Sequence, residues 1–390
     1  MKPFHLLDQQ GFTPQRLDCA ARRGRILGPV MLLNRYIFKQ IVISFSIAAG
    51  GMLFIALPGL AVGAVHKLAG VGTATVLRFL PMAAAGFVPF MLPIAFLLSI
   101  VATYGRLAAE NEWTAIRMAG INPSRMVRPA LTMGLLVASL IMYMNTEFLP
   151  WLKVRMKTFQ QDAVVDMVKN LAPGRTEVQF EDFYLFAPFR EGDVFFDAFI
   201  ELPPFEDHSG MTVLADEVSF SFTDTHMGVE MRGVQGVHDS AELKKAYISV
   251  AVPLDSIVQT QPQFFIDARY LRSRDLYLAV RDHTTPNGDV IPPERYHRYD
   301  YEFHERITNA LTCLMFVLVG TGTGILMRRG TQLAALAVSV GYAVMYWVLA
   351  LRLGKELIFK QVIAPWMGTW GPLLICAAGG FWLLRRAFRR

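Results

Sequence analysis

The chain has 390 residues, 53% of them hydrophobic and only 18% charged, with a mean hydropathy of +0.34. That balance is too apolar for an ordinary soluble protein, and it excludes a disordered one. The net charge of +6 comes from basic residues scattered over the ends of apolar segments, not gathered on one soluble face, which disfavours nucleic-acid binding.

Taken in chain order, residues 1–30 form a cytoplasmic N-terminal extension without the apolar core of a signal peptide. The first apolar run is too long for a signal peptide and has no small-residue cleavage site after it, so it is expected to stay as an anchor. Six runs hold no Asp, Glu, Lys, Arg or His: Ile41–Val65, Phe79–Gly105, Pro129–Thr146, Ile307–Met327, Gly330–Leu351 and Gln361–Leu384, of 25, 27, 18, 21, 22 and 24 residues. A hydrocarbon layer about 30 Å thick needs roughly 20 helical residues, so each run predicts a transmembrane span, the third borrowing a turn from each flank. The chain divides accordingly into spans one to three (31–150, with a cytoplasmic loop 106–128), an outer segment (151–272), a connector (273–306) and spans four to six (307–390).

Within the outer segment, Trp151–Asn170 has apolar residues at helical spacing and reads as span three continuing outward as an amphipathic stalk, ended by Pro173-Gly174. The period then changes to two. Val218–Thr223 alternates cleanly, and similar strands fit Glu177–Phe180, Phe183–Ala187, Val194–Leu202, Gly228–Met231 and Ala246–Val252, which points to a β-sandwich or jelly roll. Aromatics on one strand face serve either as a sandwich core or as an open apolar groove for a lipid chain. Ser273–Arg281 reads as a short amphipathic helix, and Asp282–Pro293 as a loop with strong turn chemistry. Cys19 precedes span one while Cys313 and Cys376 lie in spans four and six, so no disulfide braces the outer segment.

Lysines and arginines set the orientation. Seventeen lie before span one, between spans two and three, after span four and in the tail, against five (Lys67, Arg78, Arg352, Lys355, Lys360) on the opposite side. Basic residues near span ends are retained in the cytoplasm, so both termini are expected there and the outer segment in the periplasm.

Catalytic signatures fail. There is no phosphate-binding G-x-x-x-x-G-K-[ST] loop, His304-Glu305-Arg306 is not H-E-x-x-H, and the eight histidines form no ligand-like cluster. Neither a metal nor another cofactor is expected. Gly320, Gly322 and Gly324 (GTGTG) lie within span four, where small residues let helices approach closely. The charge-free spans disfavour a proton- or sodium-driven carrier, and Pro81, Pro89 and Pro93 in span two read as simple kinks.

The loop Tyr104–Pro129 is more informative. Leu107, Ala108, Trp113, Ile116 and Met118 are read as one side of a short helix, with Glu110, Glu112 and Arg117 elsewhere on it and Gly120 at its end. A membrane subunit without a nucleotide site but with a short loop helix looks like the permease half of an ABC transporter. The run GRLAAENEWTAIRMAGI resembles the loop of the LptF/LptG permeases, G-[RK]-L-x-x-[ED]-x-E-x-x-x-M-x-x-x-G, with Ile116 where the pattern has Met. Asn34-Arg35-Tyr36-Ile37, Glu305-Arg306-Ile307, Pro365-Trp366 and Gly371-Pro372-Leu373-Leu374 agree, so that the likeness covers roughly Met31–Arg386. Members of that family begin shortly before N-R-Y-I; here the residues before Met31 are either an extension or precede the true start.

The resemblance implies an α-helical membrane protein of six transmembrane helices in a three-plus-three arrangement with an inserted periplasmic β-jelly-roll domain, in the inner membrane. It implies no enzyme but a permease subunit that extracts lipopolysaccharide or a related glycolipid and passes it to a periplasmic bridge protein. The implied partners are a cytoplasmic LptB-like ATPase dimer, a second LptF/LptG-like half and an LptC-like single-span protein. By the same likeness Glu110, Glu112, Arg117 and Gly120 meet the ATPase, while Lys67, Arg78 and Arg352 face lipid phosphates. The alternative class is a scaffold or receptor whose β-domain recruits partners while the spans only anchor it.

Overall fold

The computed structural model describes residues 19–68, 73–169, 176–180, 183–202, 211–223, 226–238, 241–253, 268–286, 288, 290–327 and 332–389. Six helices among them are long and apolar enough to cross a membrane: Met31–His66, Thr73–Ala109, Pro123–Gln160, Pro293–Leu326, Ala334–Phe359 and Pro365–Arg389. Each contains or overlaps one of the six charge-free runs. The helices outlast the runs because a helix keeps its backbone hydrogen bonds beyond the hydrocarbon layer, where charged side chains reach water or headgroups.

Span one belongs to α1 (Cys19–Lys67) and span two to α2 (Thr73–Ala109), which a short α3 (Glu112–Met118) links to span three. Span three starts as α4 (Pro123–Tyr143), loosens into a π-helical segment at Met144–Phe148 and runs on as α5 (Leu149–Lys169). The predicted stalk is thus a direct continuation of the span; its expected Pro173-Gly174 end lies outside the described residues. After the strands, α6 (Ser273–Asp282) leads through a single 3-10 turn to α7 (Tyr296–Leu326), the fourth span. Span five is α8 (Gln332–Trp347), a second π-helical segment at Val348–Gly354 and α9 (Lys355–Phe359); span six is α10 (Pro365–Arg389). Nothing in the residue pattern announced either π segment.

Span four is the hub. In its most apolar window 72% of the residues are buried, against 6% for span one. The GTGTG run makes this possible. A Cβ at Gly324 would stand 3.0 Å from the Gly105 nitrogen, and one at Gly322 2.9 Å from the Leu384 nitrogen, so α2 and α10 approach the α7 backbone where no side chain intervenes. Two hydroxyls of the buried hub bond within their own helix: Thr312 Oγ1 donates to the Thr308 carbonyl at 2.8 Å and Thr321 Oγ1 to the Val317 carbonyl at 2.6 Å.

Seven described strands form one antiparallel sheet in the order β1-β2-β4-β5-β6-β7, with β3 also on β4. They are β1 (Thr176–Phe180), β2 (Phe183–Ala187), β3 (Phe189–Glu191), β4 (Val194–Leu202), β5 (Met211–Phe222), β6 (His226–His238) and β7 (Ala241–Pro253). The last three are far longer than the expected pieces, and β3 was not foreseen. The buried face explains the shortfall in β5 and β6. It passes from Phe195 to Ala198 and Ile200 in β4, from Val213 and Ala215 to Val218 in β5, and from Met227, Val229 and Met231 to Val234 in β6. Odd positions give way to even ones at the same rung in three neighbouring strands. Asp197 (φ 52°) and Gly233 (φ 65°) take left-handed conformations there, on either side of Asp216. Such breaks curl a sheet, and in β5 and β6 they cut the alternation into halves too short to read as one strand.

Candidate functional site

Two places on the bundle concentrate chemistry, at opposite ends. At the end away from the sheet, α2 stops at Ala109 and the chain turns through Glu110 and Asn111, whose backbone is left-handed (φ 60°). This turn corrects the expectation of one helix carrying Leu107, Ala108, Trp113, Ile116 and Met118: the first two belong to α2 and are buried inside the bundle. On α3, Trp113 and Met118 are five residues and about 140° apart. Trp113 therefore points inward, 3% exposed, and stacks on Phe388 of α10 with ring centroids 6.2 Å apart, while Met118 points away, 84% exposed. Gly120 (φ 76°) ends the helix in a conformation that favours glycine, and the Asn122 side chain then caps α4 by accepting from the Ser124 backbone N–H at 3.0 Å. Beneath the loop the Tyr104 hydroxyl donates to the Met126 carbonyl at 2.6 Å, joining α2 to α4. The result is a short rigid helix fastened to the last span. Met118 is exposed on its free side and Glu110 in the turn before it, with Glu112 and Arg117 half-buried at its flanks.

At the sheet-side end, charged side chains turn inward. A cavity of about 500 Å³ opens between spans two to five and the connector, lined by Asn145 and Lys153 of span three, Arg298, Tyr301, Glu302, Glu305 and Arg306 of α7, and Lys355 and Phe359 of α9 among others. Both π segments border it: Asn145 lies in the first, and Lys355 directly follows the second. Extra residues of this kind in helices often occur at functional sites. Arg306 is the structural centre. Its side chain is 6% exposed; Nη1 donates to the Leu271 carbonyl at 2.9 Å and to Ser273 Oγ at 3.2 Å, and Nη2 donates to the Ala268 carbonyl at 3.1 Å and to the Glu302 carboxylate at 3.4 Å. One guanidinium thus ties span four to the chain returning from the sheet and to the first turn of α6. The Tyr301 hydroxyl donates to Glu305, and the Lys355 ammonium lies 5.8 Å from the Tyr301 ring centroid and 5.5 Å from that of Phe359.

Residues 35–386, nearly the whole chain, match the family described as lipopolysaccharide export system permease LptF/LptG. The chain belongs to the LptF/LptG family. It is therefore a transmembrane lipid-transport permease, a transporter component and not an enzyme. Among curated proteins, no relative matches the sequence. Of the residues singled out beforehand, the structure brings Glu110, Glu112, Arg117 and Gly120 together on and around α3. Arg78, exposed in the second turn of α2, and Arg352, exposed in the second π segment, are not among the residues lining the cavity, and the Lys67 side chain lies outside the described residues. The cavity cluster itself escaped sequence reasoning. The charge-free runs end at Thr146 and Ile307, next to the residues that matter, so the cluster lies outside every run. The recoverable signal was the continuous helix through both boundaries, which puts Glu302, Glu305 and Arg306 on one face at spacings of three and four.

Proposed function

We propose that this LptF/LptG permease is one half of an ATP-driven exporter that extracts lipopolysaccharide, or a related glycolipid, from the inner membrane and hands it to a periplasmic bridge protein. Both termini and the α3 loop face the cytoplasm, and the curled sheet, a jelly roll in kind, stands in the periplasm. A dimeric LptB-like ATPase docks on α3, with Glu110 and Glu112 meeting basic residues, Arg117 and the Gly120 turn shaping the contact, and exposed Met118 entering an apolar seat. A second LptF/LptG-like half covers span one, whose apolar surface is almost wholly unburied within the chain, and an LptC-like single-span protein joins alongside. Lys67, Arg78 and Arg352 meet lipid phosphates at the outer rim.

The observation that carries this reading is the fastening of α3. A helix of seven residues has almost no stability of its own, yet the Trp113–Phe388 stack holds it on span six, so that a force applied to it by a partner reaches the bundle. Co-purification tests it. Glu112→Arg is expected to leave the protein in the membrane while removing the ATPase and lipid release; unchanged ATPase recovery with unchanged release overturns the docking. Lys67→Glu is expected to weaken photocrosslinking of lipid at that site, and full crosslinking removes Lys67 from the lipid path.

A further inference from the structure

Span five leans unevenly on its neighbours. In its sheet-side half the π segment Val348–Gly354 packs on span six, and a Cβ at Gly354 would stand 2.5 Å from the Gly368 carbonyl oxygen, so the two backbones touch. Its other half, α8, packs on α2 and barely meets α10. The two spans therefore splay apart from a glycine pivot, and α7 closes the back of the gap. There lies a second cavity, of about 230 Å³, lined by Met315 and Val319 of α7, Tyr342 and Met345 of α8, and Cys376 and Gly379 of α10 among others. None of its lining residues is charged.

Depth and size name the occupant. Counted from the sheet-side ends of their charge-free runs, Ile307, Leu351 and Gln361, the residues Val319, Tyr342 and Cys376 lie 12, nine and 15 positions in. At 1.5 Å per residue these are about 18, 14 and 22 Å, near the middle of a hydrocarbon layer about 30 Å thick. Headgroups do not reach that depth, and what surrounds the cleft there is the hydrocarbon of lipids. One turn of helix, about 10 Å across and 5.4 Å long, takes up roughly 420 Å³, more than the whole cavity, so a helix of a partner does not fit it. An apolar cavity of about 150 Å³ already admits a molecule the size of benzene. Gly379 leaves the mouth bare: a Cβ there would meet nothing within 4 Å, so no contact among the described residues requires glycine, although glycine inside a helix is less stable than alanine.

The geometry points to a binding site for one acyl chain of a membrane phospholipid, lodged between spans five and six against α7 near the middle of the layer. The lodged acyl chain acts as a wedge that holds α8 away from α10 about the Gly354–Gly368 pivot. This site is separate from the charged cavity, and it does not rest on the exporter reading.

The test uses the full chain in nanodiscs of a phosphatidylcholine carrying a diazirine at the end of one acyl chain, with adducts mapped by mass spectrometry after illumination. Met315 and Val319 are buried, so lipid lying around the bundle does not reach them except through the cleft, whereas Ile375 and Phe381 are exposed to it. Adducts at all four residues are expected in the wild type. Gly379→Leu fills the cleft from its bare side and is expected to lower the adducts at Met315 and Val319 at least about tenfold, while those at Ile375 and Phe381 persist. Gly379→Ala adds one methyl group; it is expected to keep most of the adducts and to raise the thermal midpoint, which separates filling of the cleft from damage to the helix. Adducts at Ile375 and Phe381 alone in the wild type, or adducts at Met315 and Val319 that survive Gly379→Leu, overturn the site. So does labelling of Met315 and Val319 that appears only after co-purifying polypeptides are stripped away, because protein then covers the cleft.

Discussion

The two ends of the helical bundle solve opposite problems. At the loop end the aromatic side chain is inside and the charges are outside: Trp113 is buried on Phe388, while Glu110 and Met118 face away. At the sheet end the charges are inside, drawn around a cavity and held by Arg306. The first arrangement makes a firm, shaped knob, and the second a charged recess. The stabilities of the two ends differ in kind as well. One rests on apolar burial, which tolerates adjustment; the other rests on a buried guanidinium whose partners are stranded if it is removed.

That contrast can be broken by substitution. Arg306→Ala is expected to have the largest effect, about 3–5 kcal/mol of lost stability, read as a fall in the detergent-solubilised unfolding midpoint; a fall no larger than that of a surface variant would show that the sheet end is not held by this residue. Trp113→Ala comes next, at about 3 kcal/mol by analogy with buried tryptophan truncations. Its signature should be local, with faster hydrogen exchange in α3 and the end of α10 and none in the cavity helices. A double-mutant cycle between Trp113 and Phe388 should yield a coupling of about 0.5–1.5 kcal/mol, and additive single effects would show that the two rings are merely near each other. Smallest is Arg232→Ala in the sheet. Its 3.4 Å pair with Glu217 is exposed on both sides, so the change should stay below about 1 kcal/mol and vanish at high salt; it serves as the scale for the other three.

The residue pattern disclosed some of these elements and concealed others for definable reasons. Long charge-free runs marked all six spans, and the apolar spacing after Trp151 foretold the stalk. Ser273–Arg281 differs from the observed α6 by one residue. β5 and β6 were recognised only in fragments, because the alternation reverses in mid-strand beside Asp216 and Gly233 and period-two reasoning sees each half alone. The α3 loop was found by its motif, yet its inner face was misjudged, since the Glu110–Asn111 turn resets the helical phase between Ala108 and Trp113. The charged cavity was invisible for a different reason: its members come from span three, the connector, α7 and α9, and no local spacing relates them.

What the sequence by itself determined is whatever a solvent decides residue by residue. A hydrocarbon layer demands about 20 apolar residues in a row, and water demands alternation in a half-buried strand, so both leave a period in the chain. What only the tertiary structure decided is which polar groups meet. Arg306 reaching Ala268 and Leu271 across 38 and 35 residues, Trp113 finding Phe388, and Lys153, Arg298 and Lys355 lining one recess depend on how helices cross, and crossing is set by close contacts such as Gly324 on Gly105, which no periodicity records.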